Sequence, residues 1–215
     1  MTSAERADDS ARPAAVYVID DDPELRESLS WLLDSVGIKA TGYPLADEFL
    51  TDYRGDHPAC LILDVRMPRM SGPKLQDELM AKAPHVSIIF VSAHGDIRMS
   101  VKTMRSGAVD FLEKPYDPQQ LLDTVQVGIE KAEAAFAEYT HRQIIQERID
   151  HLTPREREIL LLVVEGMPSQ NIARRLGMSV KTVDVHRARI RAKADAESIN
   201  VLVRDILRYR IEIGG

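Results

Sequence analysis

The sequence has little of what secreted, disulfide-stabilised or membrane-spanning proteins need. It contains a single cysteine, Cys60, so no intrachain disulfide can form, and this cysteine usage favours a reducing cytoplasm. No apolar run approaches the roughly 18 residues of a membrane span, so we expect no membrane association. Residues 1–14 are polar and lack the apolar core of a secretory signal; we expect a disordered tail.

The net charge of −6 is unevenly distributed along the chain. Residues 1–140 hold 24 acidic and 14 basic residues, a net charge of −10, whereas residues 141–215 hold 10 acidic and 14 basic residues, a net charge of +4. These two values give the −6 of the whole chain. The asymmetry indicates two domains with different partners, and the basic one is the candidate for binding nucleic acid.

Short apolar runs alternate with helical patterns through the first half of the chain. Between the runs, apolar residues recur at helical spacing, and glycines such as Gly37 and Gly107 end the helices. This alternation of five strands with four intervening helices predicts a doubly wound α/β fold with a five-stranded parallel sheet. The runs that predict strands are 16–19, 38–42, 59–63, 86–91 and 109–112.

The last helical pattern of this region continues well beyond the sheet. From Pro118 to His151 there is no further proline and Gly128 is the only glycine, which predicts one long helix. Phe136 and Tyr139 lie about 20 Å beyond the part that covers the sheet, so they could pair with a second copy of the chain. The apolar residues recur at spacings of 3, 4, 3, 4 and 3, as in a heptad seam: Leu122, Val125, Ile129, Ala132, Phe136 and Tyr139.

The rest of the sequence predicts four short helices joined by tight turns. Thr153 and Glu156 form a capping box at the first helix, and Gly177 marks the turn before the third, which Ser179 caps. This pattern predicts a small all-α helix-turn-helix domain. We therefore expect four segments: the tail at 1–14, the α/β domain at 15–131, a helical linker at 132–150 and the helix-turn-helix domain at 151–215.

Polar side chains follow the predicted strands where each strand ends. Asp20 and Asp21 follow the first strand, Asp64 the third, Ser92 the fourth and Lys114 the fifth. Any one of them could be a helix cap or a loop residue. The carboxyl ends of parallel strands share one rim, where open α/β sheets bind ligands, so together they predict a site.

Three clustered carboxylates at such a site repel one another, and burying them unpaired is costly. Mg²⁺ relieves this repulsion, because it binds through a few carboxylates and keeps several waters. Asp64 could then act as an acyl-phosphate nucleophile, with Lys114 and Ser92 contacting the phosphate oxygens. Asp22 could replace Asp21 as the second ligand, although the following Pro23 favours a helix N-cap at Asp22.

The motifs around these residues resemble the receiver domain of bacterial response regulators. The chain as a whole resembles a two-domain regulator of the FixJ-like type, with a NarL/LuxR-type helix-turn-helix. The receiver motifs are Val18-Ile19-Asp20-Asp21-Asp22, Leu63-Asp64-Val65-Arg66-Met67-Pro68, Val91-Ser92-Ala93-His94-Gly95-Asp96 and Val109-Asp110-Phe111-Leu112-Glu113-Lys114-Pro115.

This resemblance implies that Asp64 accepts a phosphoryl group from a sensor histidine kinase. It implies Asp20 and Asp21 as the acidic pair, with Mg²⁺ held by Asp21, Asp64 and the backbone carbonyl of Arg66. The resemblance further implies a cis Lys114–Pro115 bond. It also implies a switch pair, Ser92 and Phe111, in which the hydroxyl moves toward the phosphate and the ring follows inward.

The third helix of the second domain carries the basic residues expected of a recognition helix. Val183 and Ile190, seven residues apart, should face inward. The stretches 152–158, 171–177 and 181–187 resemble the DNA-binding domain of the same regulators. This resemblance implies base-facing positions at Asp184, Val185 and Ala188, and phosphate contacts from Lys181, Thr182, Arg187 and Arg191.

The role of Asp184 has two interpretations. Its carboxylate could accept a hydrogen bond from a cytosine amino group, or it could only orient a neighbouring arginine.

We therefore predict a phosphorylation-activated transcription factor rather than an enzyme. The expected partners are the sensor kinase, promoter DNA, RNA polymerase and a second copy of the chain. Phosphorylation should favour a dimer through the helix from Ile97, the fifth strand and the helix from Pro118. One alternative, an aspartyl-phosphate phosphatase, requires a carboxylate where Arg66 stands. Another, an output through protein binding, is disfavoured by the basic helix.

Overall fold

The computed structural model describes residues 13–93 and 97–214. The chain divides into two compact units, with the boundary between Tyr139 and Thr140. The predicted tail lies outside the described residues except for Pro13 and Ala14, and so does the 94–96 part of the fourth-strand motif. Within the described ranges, no helix has both the length and the apolar character to cross a membrane.

The first unit is built on a five-stranded sheet in the order β2-β1-β3-β4-β5. Every neighbouring pair of strands is parallel, so the predicted doubly wound fold is confirmed. The strands are β1 (Ala15–Ile19), β2 (Ala40–Tyr43), β3 (Ala59–Asp64), β4 (Ser87–Ser92) and β5 (Asp110–Glu113).

Helices cover both faces of this sheet. Along β3, Leu61 and Leu63 pack into the core on one face, whereas Cys60 and Ile62 pack into the core on the other. Two-sided burial explains why β3 is a continuous apolar run rather than an alternating one. The helices of this unit are α1 (Pro23–Asp34), α2 (Ala46–Asp52), α3 (Gly72–Lys82), α4 (Ile97–Arg105) and the first part of α5 (Pro118–Asp150).

Asp22 is the N-cap of α1, as the following proline predicted. Its side chain accepts hydrogen bonds from the backbone N–H groups of Glu24 and Leu25, and Pro23 occupies the first turn. This carboxylate is therefore engaged in satisfying the open end of the helix, and the register with Asp21 as the acidic residue of the site is favoured.

Helix α5 is continuous over 33 residues, so the predicted long helix is confirmed. The ring of His85, in the loop before β4, lies 4.9 Å from the ring of Phe136 and 4.9 Å from that of Tyr139. Phe136 is buried and 4% exposed. The suggestion that these two residues pair with a second chain is therefore corrected for Phe136, because the first unit itself covers it. Tyr139 is half-buried, and for this residue the suggestion stays a prediction.

The second unit contains four short helices and the predicted caps. Thr153 and Glu156 form the capping box in both directions, Gly177 ends the second helix with φ of +65°, and Ser179 caps the third. The helices are α6 (Pro154–Val164), α7 (Ser169–Leu176), α8 (Val180–Lys193) and α9 (Ile199–Tyr209).

The end of α5 contributes to the core of the second unit. Ile145 and Ile149 are buried there with residues of α6 to α9. Helix α5 therefore supplies apolar residues to two separate cores, Val125 to the first unit and Ile149 to the second. The domain boundaries placed at residues 131 and 150 stay predictions.

Candidate functional site

Strand ends bring three of the predicted site residues together at one rim of the sheet. The Lys114 Nζ atom lies 2.9 Å from Asp20 Oδ2 and 3.2 Å from Asp64 Oδ1. The side chains of Asp20 and Asp64 are only 6% and 11% exposed. The ammonium of Lys114 therefore bridges two largely buried carboxylates; we call these three residues the carboxylate–lysine cluster.

Backbone N–H groups hold the other oxygen of each carboxylate. Arg66 N donates to Asp64 Oδ2 at 2.6 Å, and Asp22 N donates to Asp20 Oδ1 at 2.9 Å. Each carboxylate is thus oriented by Lys114 and by the backbone N–H group of the residue two positions after it. This arrangement leaves little freedom for the Asp64 side chain.

Gly72 is a supporting residue that the sequence analysis missed. A Cβ atom at this position would lie 2.4 Å from the backbone oxygen of Asp64 and 2.9 Å from the Phe90 ring. Only glycine lets the start of α3 approach the end of β3 so closely. In the sequence, Ser71-Gly72-Pro73 looks like an ordinary helix start, so the close approach had no signal of its own.

Burial and charge act against each other in the carboxylate–lysine cluster. Burial raises the pKa of Asp64, and the hydrogen bond from Arg66 N and the charge of Lys114 offset this only in part. Burial also opposes the charge on Lys114, but the hydrogen bond and charge of Asp20, then those of Asp64, outweigh it and raise the pKa of Lys114. Two ionised carboxylates facing one ammonium leave the cluster with excess negative charge.

The donor set of this rim fits Mg²⁺ in kind. Its side-chain donors are carboxylate oxygens, which a hard dication prefers, and the excess negative charge favours a cation. Asp21, the remaining predicted ligand, is exposed. Among the residues that the structure describes, no three acidic, histidine or cysteine side chains converge as a metal site, and Lys114 contacts both Asp20 and Asp64.

The predicted switch pair lies on neighbouring strands. Ser92 ends β4 and is 3% exposed, whereas Phe111 on β5 is half-buried and its ring stacks at 6.4 Å from that of Phe90. Phe90 is the register partner of Phe111, and side chains two apart on a strand share a face. Ser92 and Phe111 therefore share one face of the sheet. The Lys114–Pro115 bond is cis, as the resemblance implied.

Helix α8 presents most of its predicted DNA contacts to solvent. Val183 and Ile190 are fully buried, which confirms the predicted inward face. Arg187 is half-buried at the border of that face. The other predicted contact residues are exposed: Lys181, Thr182, Asp184, Val185, Ala188 and Arg191.

A serine on α7 joins two of these residues, and the sequence analysis did not single it out. Ser169 Oγ donates to Asp184 Oδ1 at 2.9 Å and accepts from Arg187 Nη1 at 3.1 Å. Lys193, at the end of α8, instead donates to the buried Glu156 carboxylate at 2.7 Å. Ser169 had no sequence signal, because its partners are 15 and 18 residues away.

Two family models match the chain, one in each unit. Residues 16–126 match the response regulator receiver domain. Residues 142–193 match sigma-70 region 4. The second match spans α6, α7 and α8, the helices that carry the candidate nucleic-acid surface.

Relatives match this chain over most of its length. The transcriptional regulatory protein FixJ of Bradyrhizobium diazoefficiens is 37% identical over 193 residues, covering 90% of this chain and 94% of FixJ. The response regulator protein TodT of Pseudomonas putida is 37% identical over 195 residues, covering 91% of this chain and 86% of TodT.

Solved structures agree with these matches. The response regulator StyR is 39% identical, with a TM-score of 0.73 over 92% of this chain and 100% of StyR. Full-length FixJ from B. japonicum is 36% identical, with a TM-score of 0.55 over 92% of this chain and 97% of FixJ.

Proposed function

We infer the function of this chain from its family: it belongs to the FixJ-like response regulators, which join a receiver domain to a helix-turn-helix DNA-binding region. FixJ carries the name of a transcriptional regulatory protein and TodT that of a response regulator, and neither is named as an enzyme. Membership implies a two-component system with a kinase and DNA as partners. We propose that this chain controls transcription after phosphorylation at Asp64.

The carboxylate–lysine cluster carries this proposal. We propose that a sensor histidine kinase presents a phosphohistidine to Asp64. A carboxylate oxygen of Asp64 attacks the phosphorus; the P–O bond forms as the P–N bond breaks, and the imidazole nitrogen leaves with the electron pair. Lys114, already 3.2 Å from Asp64, pairs with a phosphoryl oxygen, and the Ser92 hydroxyl donates to another.

The metal-binding residues in this proposal are the acidic pair Asp20 and Asp21, with Asp64 and the backbone carbonyl of Arg66. When bound there, Mg²⁺ would neutralise charge on the phosphoryl oxygens. The excess negative charge of the carboxylate–lysine cluster supports a cation at this rim. Asp21 would have to turn its exposed carboxylate toward Asp64.

Movement of Ser92 toward the phosphate would free space for the Phe111 ring on the same face of the sheet. We propose that this change favours a homodimer through α4, β5 and α5. An exposed apolar stripe on α4 supports this face, because Ile97, Val101 and Met104 are 79%, 44% and 41% exposed and recur at helical spacing. The dimer would place two copies of α8 at two half-sites of promoter DNA, next to RNA polymerase, in the cytoplasm.

The phosphoacceptor can be tested by incubating the protein with acetyl phosphate and Mg²⁺ and measuring its intact mass. We expect wild type to gain one phosphoryl group and Asp64→Asn to gain none. Asp77→Asn, an exposed acid on α3, is the matched control and should label like wild type. Chelation of Mg²⁺ should abolish labelling of wild type and of Asp77→Asn. Uptake of a phosphoryl group by Asp64→Asn would reject the assignment.

DNA binding can be tested with residues 140–215, a unit that holds its own core. We expect salt-sensitive binding to duplex DNA. Lys181→Ala should lower the slope of log affinity against log salt by about 1, because one phosphate contact is lost. Lys193→Ala should leave the slope unchanged, because Lys193 pairs with Glu156. A fragment that binds no duplex at low salt would contradict this role.

The dimer face can be tested by measuring mass in solution with and without beryllofluoride. We expect wild type to shift toward the dimer when the phosphate mimic is present. Val101→Glu should stay monomeric, because a charge would be buried without a partner. Val36→Glu changes another exposed valine, outside α4, β5 and α5, and is the control that should dimerise like wild type. If Val101→Glu forms the dimer as wild type does, the assignment of the interface to α4 is rejected.

A further inference from the structure

The Ser169 hydroxyl is the meeting point of two residues on the recognition helix. It donates a hydrogen bond to Asp184 at 2.9 Å and accepts one from Arg187 at 3.1 Å. Asp184 and Arg187 are three residues apart, close enough on a helix to pair directly. In the described part of the chain they meet through Ser169 instead, and no ion pair joins them.

The two partners lie on one flank of α8, Arg187 nearer to its buried face and Asp184 further from it. Arg187 follows the buried Val183 by four residues and precedes the buried Ile190 by three, so it borders the inward face. Asp184 is exposed beside Val185 and belongs to the outward face. Ser169 thereby links a residue that can face base edges to one at the flank of the helix, where a phosphate backbone would pass.

The bond to Ser169 leaves Asp184 able to accept a further hydrogen bond. A carboxylate has about four acceptor sites on its two oxygens, and Ser169 takes one on Oδ1. The remaining sites suit a donor, and among major-groove edges the cytosine amino group is the donor that acidic side chains read. The second interpretation, in which Asp184 orients a neighbouring arginine, is compatible with this role. Asp184 is linked to Arg187 through the Ser169 hydroxyl.

We propose that Ser169 is a positioning residue for sequence recognition: its hydroxyl holds the Asp184 carboxylate outward for a base amino group and keeps Arg187 from pairing with it. This inference rests on the proposed DNA-binding function. Without the hydroxyl, Asp184 and Arg187 would close into an ion pair, and the carboxylate would turn from the base. Preference at one position of each half-site would then relax.

The test is selection of binding sites from a pool of randomised duplexes by the full-length chain treated with beryllofluoride. Wild type, Ser169→Ala, Ser169→Thr and Asp184→Asn are compared. We expect Ser169→Ala and Asp184→Asn to lose preference at the same base pair, on the order of tenfold. Ser169→Thr, which keeps a hydroxyl, should restore it. Binding of Asp184→Asn to non-selected DNA should keep its salt slope, because no cationic side chain is removed or newly paired.

A purely structural role of Ser169 would give another pattern. Ser169→Ala would then lower the melting temperature and weaken binding to all sequences alike, with the preferred sequence unchanged; that result overturns the proposal. An unaltered preference in Ser169→Ala, with altered preference in Asp184→Asn, overturns it too. If wild type selects no sequence and binds no duplex, the proposed DNA-binding function itself fails, which is a distinct outcome.

Discussion

His85 is expected to make the stability of the receiver unit depend on pH. It is 2% exposed, and its Nε2 donates to the Tyr53 hydroxyl at 3.1 Å, because the Tyr53 proton is directed to the His57 carbonyl. Its Nδ1 is buried without a hydrogen-bond partner among the described residues. A proton added at Nδ1 would therefore be a buried charge with no acceptor.

The groups facing His85 offer little compensation for that charge. Tyr53 and Tyr139 are neutral rings, and His57 already pairs with Asp56 at 2.9 Å. Burial lowers the pKa of His85; a backbone contact with His57 raises it in part, and the charge of His57 lowers it further.

The sign of the pH effect follows from this direction. A histidine pKa that is lower in the folded state makes the unfolded state bind more protons, so stability rises with pH. The stability that comes from a neutral, buried His85 is fully present above the ordinary pKa of about 6.5, and it is lost as the pH falls below that value. One pH unit corresponds to about 1.4 kcal/mol, so between pH 7.5 and 5.5 the loss is at most about 1.4 kcal/mol.

The perturbation that isolates this effect is His85→Phe, with His85→Gln as its matched partner. Phenylalanine keeps the ring contact with Phe136. It removes the unpaired nitrogen, which stabilises the fold, and it loses the hydrogen bond to Tyr53, which destabilises it. At pH 7.5 these two effects on the free energy of unfolding should cancel to within about 1 kcal/mol. At pH 5.5 both variants should gain up to about 1.4 kcal/mol relative to wild type.

Amide exchange in β4 is the appropriate assay, because it reports the opening of this unit alone. Comparing variant with wild type at one pH cancels the intrinsic pH dependence of exchange. We expect the ratio of protection to rise by up to about tenfold from pH 7.5 to 5.5 for both variants. If the ratio of variant to wild-type protection stays constant or falls between pH 7.5 and 5.5, the assignment of His85 as uncharged and unpaired at Nδ1 is refuted.

Three other predictions concern packing and charge. Gly128→Ala should cost about 1–3 kcal/mol, because its Cβ would lie 2.6 Å from Cys60 Sγ; the added Cys60→Ala change should recover part of the melting temperature. Phe136→Ala should cost about 3–5 kcal/mol, seen as faster amide exchange in 132–139. Although burial acts the other way, hydrogen bonds from Lys193 and Thr153 hold the pKa of Glu156 below its ordinary value. Urea unfolding should therefore show Glu156→Gln destabilised by about 1–3 kcal/mol at pH 7, and this difference should shrink as the pH falls through 4.5, the ordinary value.

The elements that local chemistry specifies were predictable from the sequence. Asp22 before Pro23 identified the cap of α1, and the Thr153 and Glu156 pair identified the start of α6. The order of strand ends placed Asp20, Asp64 and Lys114 on one rim, because parallel topology allows no other arrangement of their carboxyl ends. These inferences required only spacing, turn chemistry and the parallel arrangement of the strands.

Contacts between distant segments were not predictable in this way. Gly72 is required only because Asp64 O lies where its side chain would be. His85 had no pattern to mark it, since its partners are Tyr53, the residue after α2, and Tyr139 on α5. The roles of such residues are set by packing between distant segments, and this packing leaves no periodic pattern in a single sequence.

The same limit applies to the apolar seam of α5. A spacing of 3 and 4 is produced by any helix that buries one face, whether against a partner helix or against its own domain. Val125 is fully buried on the sheet and Phe136 is 4% exposed, so these two positions of the seam are already covered. On α4 the same spacing leaves Ile97 79% exposed. Burial, which spacing cannot report, therefore disfavours the α5 seam as a dimer contact and supports the α4 part of the proposed dimer face.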